Sequence, residues 1–313
     1  MIYTVTLNPA IDKIFFLDEI NKGRTNRIKR SVETLGGKGT HVSIDLKLLG
    51  VQNTALGITF GENGKKITEM MKSWGVDTRF LHYQHEDFDS RTNYILVEEN
   101  GHHCTIVTEQ GPILSTKITD ELLDQMKNLI KEGDMLVLTG DASNVEDTTI
   151  YTNLTLQAKK LGAKVFLDSS GPYLMEGVKS QPFLIKPNFE EMCYLTGKEL
   201  FTEQDVVIAM ESLENCGIEM IVMTWSGNGA IVKNGKDIYR VNPVKVDVIN
   251  EVGCGDAFLS AIIAGLYKSN TIEDILKSAA AVAGAASECE ITTGFNQIRA
   301  EELKKQAKII KLR

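Results

Sequence analysis

One rhythm constrains this chain more than any other feature. A short β-branched or apolar run is followed by a helical pattern, then a glycine, then the next run. Residues 2–7, 135–138, 165–167, 183–185 and 220–223 are brief, near-continuous apolar runs, as strands buried on both faces require. Helical patterns occupy 120–131, 148–161, 190–196 and 203–215, and Gly133, Gly162 and Gly217 stand between helix and next strand. A helix C-terminus favours glycine there. Strand, helix, glycine, strand, repeated, predicts a mostly parallel sheet with covering helices. Three further helices are predicted over 256–268, 272–287 and 299–311.

Two segments break the rhythm. Residues 13–34 and 89–108 read as strands and hairpins, polar on one face, with Asn100-Gly101 as a turn signal. They predict a small β-lid on the α/β body. No linker, internal repeat or low-complexity tract divides the 313 residues, so 1–313 is expected to be one domain.

Composition excludes several classes. Asp plus Glu number 42 against 34 Lys plus Arg, a net charge of −8, unlike a nucleic-acid binder. No apolar run approaches the ~18 residues of a membrane span. The N-terminus carries no basic segment of a secretory signal, so a cytoplasmic protein is expected. Five widely spaced cysteines form no disulfide framework, and no Cys-x-x-Cys or His-x₃₋₅-His pair suggests zinc. The adjacent His102 and His103 read as turn or surface residues.

Three motifs carry chemistry. Gly36-Gly37-Lys38-Gly39 precedes a helical pattern from His41, so backbone N–H groups at a helix start can hold an anion. A flexible glycine turn is the bland alternative. Six basic residues, Lys22, Arg24, Arg27, Lys29, Arg30 and Lys38, against one acid, Glu33, surround it. Such a run is either a solvated face or a site for a small anionic substrate.

Gly253-Cys254-Gly255-Asp256 opens another helix, with Phe258, Leu259, Ile262, Ile263 and Leu266 on its apolar positions. Free N–H groups there could cradle developing phosphate charge. Asp256 is either a general base for an attacking hydroxyl or a helix cap. Lys186-Pro187-Asn188-Phe189-Glu190-Glu191 follows a buried run. Asn188 and Glu191, three apart, suit a water-rich Mg²⁺ shell or simple helix capping. No phosphate-binding Gly-x₄-Gly-Lys-[Ser/Thr] loop, dinucleotide Gly-x-Gly-x-x-Gly after the first strand, or Gly-x-Ser-x-Gly elbow occurs.

In this order and spacing, the motifs resemble the phosphofructokinase B family of ribokinase-like sugar kinases along essentially the whole chain. Thr6-Leu7-Asn8-Pro9-Ala10-Ile11-Asp12, Asn26-Arg27, Ser90-Arg91-Thr92-Asn93 and Leu167-Asp168-Ser169-Ser170-Gly171 add to the match. The resemblance implies a three-layer α/β/α body with a small β-sheet lid. It implies ATP and Mg²⁺ as cofactors and phosphorylation of a ketohexose phosphate of the fructose 1-phosphate or tagatose 6-phosphate type.

By the same resemblance Asp256 is the catalytic base, with Gly253, Cys254 and Gly255 as the anion hole. Asp12, Gly36, Gly37 and His41 contact the sugar, while Lys38, Arg91 and Asp141 lie at its phosphate. Arg27 joins them from this chain or a partner subunit of a homodimer built through the lid. Lys186, Asn188, Thr224, Ser226, Gly227 and Gly229 face the nucleotide, and Glu191 holds Mg²⁺ through water.

Three residues depart from the family pattern: His41 replaces Asn, Asp141 replaces Ser, and Ser226 replaces Gly. A carboxylate at 141 would repel a substrate phosphate unless it turns away or pairs with a cation such as protonated His41; otherwise the substrate differs from the family norm. Rival readings are a kinase for an unphosphorylated sugar or nucleoside, and a catalytically silent sugar-phosphate sensor. An NAD-dependent enzyme is remote without the dinucleotide fingerprint.

Overall fold

A computed structural model describes residues 1–84, 88–100 and 103–313. The chain runs β1 (Ile2–Thr6), β2 (Ala10–Leu17), β3 (Arg30–Gly36), α1 (Lys38–Leu48), β4 (Asn53–Phe60), α2 (Gly61–Ser73) and β5 (Asp77–Tyr83). It continues through β6 (Arg91–Glu98), β7 (His103–Thr108), α3 (Thr116–Leu129), β8 (Met135–Thr139), α4 (Ile150–Lys160), β9 (Lys164–Asp168), α5 (Gly171–Val178) and β10 (Leu184–Ile185). Then come α6 (Phe189–Thr196), α7 (Glu203–Ser212), β11 (Met220–Thr224), β12 (Ala230–Asn234), β13 (Asp237–Val241), α8 (Cys254–Tyr267), α9 (Ile272–Ser287), α10 (Gln297–Lys304) and β14 (Ile309–Lys311).

The large sheet has the order β14-β13-β12-β11-β10-β9-β8-β1-β4-β5. Its strands from β11 to β5 are parallel, and β12, β13 and β14 add antiparallel to one edge. Successive side chains alternate between its faces. Leu136, Leu138, Ile221 and Met223 pack on the side of α3 to α7. Met135, Val137, Met220 and Val222 pack with α8, α9 and α10 on the other. This is the covered parallel sheet that the rhythm predicts and the three-layer body that the resemblance implies.

The expected lid is a separate four-stranded sheet, β3-β2-β6-β7. Ile14, Phe16, Ile95 and Val97 form its own small core. It starts at Ala10 rather than residue 13. The Asn100-Gly101 turn and His102 reach outside the described residues, whereas His103 begins β7, an exposed strand throughout.

The predicted helix over 299–311 is corrected. Helix α10 ends at Lys304, and Ile309–Lys311 pairs with β13 instead. The Lys-rich composition suited a helix, but the open edge of β13 took the last apolar residues as a strand.

Sheet order places the site. From β1 the chain passes to β4 and β5 on one side, then returns to β8 on the other. Neighbouring strands at such a switch point leave a crevice beyond their C-terminal ends. Asn8, Asp141, Asp168, Lys186 and Ser226 all follow or close strands at that edge.

Candidate active site

A cleft of about 1220 Å³ opens over this edge, between the large sheet and the small one. All the predicted site residues line it except Gly36, Arg27 and Glu191. Gly36 sits just behind, where an added Cβ would fall 1.9 Å from Asp12 Oδ1. Arg27 is exposed on the loop before β3 and does not reach the cleft of its own chain. In the basic run around it, Lys29 pairs with Asp18 and Glu99, and Arg30 with Glu290 and Glu99.

Gly37, at φ 99°, caps α1, and Gly253, at φ 89°, caps α8. Both need left-handed backbone, and at Gly253 a Cβ would fall 2.1 Å from the Thr292 carbonyl oxygen. Asp256 is therefore no helix cap; it lies in the first turn of α8, 5% exposed. Among the described residues the N–H groups of Gly253 and Gly255 have no backbone acceptor, while that of Cys254 donates to the Glu251 carbonyl at 3.3 Å. This corrects the assignment of three donors to the loop: two are open. Burial, then Glu251, push the Cys254 thiol up to about 12, so it stays a neutral wall.

Opposite this turn lies a buried carboxylate between two lysines. Asp168 Oδ1 is 3.0 Å from Lys38 Nζ, and Oδ2 is 3.1 Å from Lys186 Nζ. Burial would raise its carboxyl, but Lys186 and Lys38 outweigh it and hold it below the usual range. The cluster keeps one net positive charge beside the glycine turn; Lys186 Nζ is 3.5 Å from where a Gly255 Cβ would stand. Lys38 is thus partly neutralised within the protein.

A profile of the pfkB family carbohydrate kinase matches residues 5–298, spanning both glycine turns and the cleft between them. The chain belongs to the pfkB family of carbohydrate kinases. It is similar to a tagatose-6-phosphate kinase of Staphylococcus epidermidis, 31% identical over 316 residues and covering all of both chains. It is equally similar, 31% over 277 residues, to a 1-phosphofructokinase of Bacillus subtilis, covering 88% of this chain and 89% of the relative. In fold it is similar to phosphofructokinase-2 of Escherichia coli, with TM-score 0.89, 23% identity and coverage of 97% and 98%.

Within this pfkB kinase, Asp12 comes from β2 of the small sheet. It accepts hydrogen bonds from Asn93 Nδ2 at 2.7 Å and Thr292 Oγ1 at 2.8 Å. Burial raises its carboxyl, opposed first by His41. Arg91 is 7% exposed and donates to the Asn8 carbonyl and Thr108 Oγ1. Asp141 pairs with Arg91 and not with His41, the partner suggested above. Its Oδ2 lies 3.6 Å from Arg91 Nη1, and its carboxylate accepts from the Ser143 N–H and hydroxyl.

Asn188 and Glu191 form a reciprocal capping box, Asn188 Oδ1 accepting from the Glu191 N–H and Glu191 Oε2 from the Asn188 N–H, each at 2.8 Å. The bland reading of this pair is thus realised. Among the described residues no group of three or more His, Cys, Asp or Glu could hold a metal by itself.

The cleft also has a wall that the motif search passed over. Asn242 to Val248, between β13 and α8, lines it together with Ala280, Ala283, Gly284 and Ser287 of α9. The small α9 residues let the strap lie close: a Cβ on Gly284 would meet Val244 Cγ2 at 2.3 Å. The usable signal was Ala- and Gly-rich spacing on α9, facing apolar alternation in the strap. Among the described residues, no helix is long and apolar enough to cross a membrane.

Proposed function

We propose that this chain transfers the γ-phosphoryl group of ATP to a hydroxyl of a ketohexose phosphate, of the fructose 1-phosphate or tagatose 6-phosphate type. The observation that carries the reading is the pairing of a buried carboxylate, Asp256, with two open N–H groups, at Gly253 and Gly255, on one helix turn beside Lys186. Phosphoryl transfer asks little covalent work of the protein; alignment and charge neutralisation dominate.

In this reading Asp256 takes the proton of the acceptor hydroxyl as its oxygen bonds to the γ-phosphorus. The bond from that phosphorus to the β–γ bridging oxygen breaks, and ADP leaves. Gly253 and Gly255 donate to the transferring phosphoryl oxygens, and Lys186 and Lys38 offset their charge. Asp12 and Asn93 orient the sugar hydroxyls, and Arg91 receives the acceptor's own phosphate. Thr224, Ser226, Gly227 and Gly229, with the 242–248 strap, flank the nucleotide.

Mg²⁺ fits as an ion carried in on the nucleotide phosphates, since the donors here are one amide and one half-buried carboxylate already used in a cap. When bound it would neutralise the β and γ oxygens, with Asn188 and Glu191 reaching it through water.

A second reading has one observation in its favour. Asp141 offsets the charge of Arg91, which suits an unphosphorylated acceptor better. Measuring ADP release with fructose 1-phosphate, tagatose 6-phosphate, the free sugars and a nucleoside decides between them. Turnover confined to the sugar phosphates supports the first reading; turnover with a free sugar or nucleoside at equal kcat/KM supports the second. ADP release stimulated by none of them removes both.

A further inference from the structure

His41 was expected to touch substrate, but both its ring nitrogens are already taken by the protein. Nε2 lies 3.1 Å from the Leu35 carbonyl oxygen, and Nδ1 lies 2.8 Å from Asp256 Oδ2. A carbonyl only accepts, so Nε2 carries a proton. The Nδ1–Oδ2 line then holds one more proton: with Asp256 ionised, His41 is an imidazolium donating from both nitrogens. The Leu35 carbonyl is itself held, because the Thr293 hydroxyl donates to it at 3.0 Å.

The surroundings favour the imidazolium. Asp12, from β2, has Oδ2 3.9 Å from Nε2. Asp45 lies one turn further along α1, and Asp256 faces the ring from α8. Lys38 on α1 and Cys254 on α8 face Asp256, the first as a cation and the second as a neutral thiol. Arg91 acts on Asp12. Burial opposes the charge on His41, but the hydrogen bond to Asp256 and the three acids outweigh it and lift the ring to about 9.

We propose that His41 is a positioning residue for Asp256, holding Oδ2 so that Oδ1 faces the acceptor hydroxyl. This rests on the reading of Asp256 as the base. It accounts for a histidine where the resembling family has asparagine. An asparagine amide can stand near the Nδ1 position and donate, but it brings no charge.

The first test does not depend on activity. The imidazoles are titrated by NMR in the nucleotide-free protein, with the His41 signal identified by its loss in His41→Asn. The His41 midpoint is expected above pH 8, and at least one pH unit lower in Asp256→Asn. An unchanged midpoint in Asp256→Asn overturns the pairing.

The second test is kinetic, with the best acceptor from the screen above. His41→Leu is expected to lower kcat tenfold or more with acceptor KM within twofold. His41→Asn should recover most of kcat. Added to Asp256→Asn, His41→Leu should cost nothing further. A raised acceptor KM with kcat kept would make His41 a substrate contact and overturn the proposal. Intact turnover in Asp256→Asn would remove the base reading, and the proposal with it, by a measurement separate from the titration.

Discussion

Arg91 and Asp141 face each other across 3.6 Å inside the cleft, and Arg91 is the more deeply held of the two. Asp141 is 40% exposed and tied to Ser143, so the pair is too long for a hydrogen bond and acts through charge alone. An ion pair of this exposure contributes about 0.2–1 kcal/mol. Asp141→Ser should therefore lower KM for a phosphorylated acceptor about two- to fivefold, with KM for ATP unchanged. Steady-state ADP release measures it. No change would mean that Arg91 does not meet the phosphate. A gain on the order of a hundredfold, beyond what such a pair can hold, would mean that Asp141 bars it.

Asp256→Asn keeps the shape of the side chain and removes the proton acceptor. A positioned base contributes about 10²–10⁴ in rate, so kcat should fall by that much while ATP affinity stays. Near-wild-type turnover of the pure variant would end the mechanism proposed above.

Ser226 sits at φ 40°, a left-handed conformation that costs an L-residue about 1–2 kcal/mol. Glycine removes that strain but costs about 0.4–1 kcal/mol through the unfolded chain. Ser226→Gly should thus stabilise by about 0.5–1 kcal/mol, read as a higher midpoint in thermal or urea unfolding. A lower midpoint would show that the serine side chain contributes more than its backbone costs.

Asp45 is 1% exposed, and burial lifts its carboxyl to about 8, against an opposing effect of His41. Its folded value lies above its unfolded one. The protonated form therefore stabilises fully below the unfolded value, and that stability is lost as pH rises through about 8. Raised His41 acts in the same sense, between the ordinary histidine range and about 9. Asp45→Asn removes the first contribution and weakens the second, since Asp45 also helps to raise His41. Relative to wild type it should gain about 2 kcal/mol between pH 6 and pH 9, seen in unfolding midpoints at the two pH values. Parallel pH curves would show that Asp45 is ionised throughout.

The parallel strands were legible because burial on both faces leaves β-branched runs with little polar interruption, as in Met220–Thr224. Strand β4 escaped because it buries Asn53, Thr54 and Thr59 among its apolar residues. The β12–β13 hairpin escaped although Asn234-Gly235 stands at its turn. Both glycine turns and the Asn188–Glu191 pair were legible, since their chemistry lies within one helix start. The contacts of His41 with Asp256 and of Arg91 with Asp141 were not. They join residues 215 and 50 positions apart, and periodicity reports only on neighbours within an element.

Asp12 and Thr292 share a hydrogen bond although 280 residues separate them. At about 5–20 residues per second, a ribosome needs tens of seconds to travel between the two. The first strands can pair and the Asp12 carboxylate can be buried long before its last partner exists. A nascent chain carrying one glycine turn thus has half a cleft and an unshielded acid, and it gains the second turn and Thr292 almost together. The order of synthesis delays the transfer proposed above until both glycine turns and Thr292 have emerged.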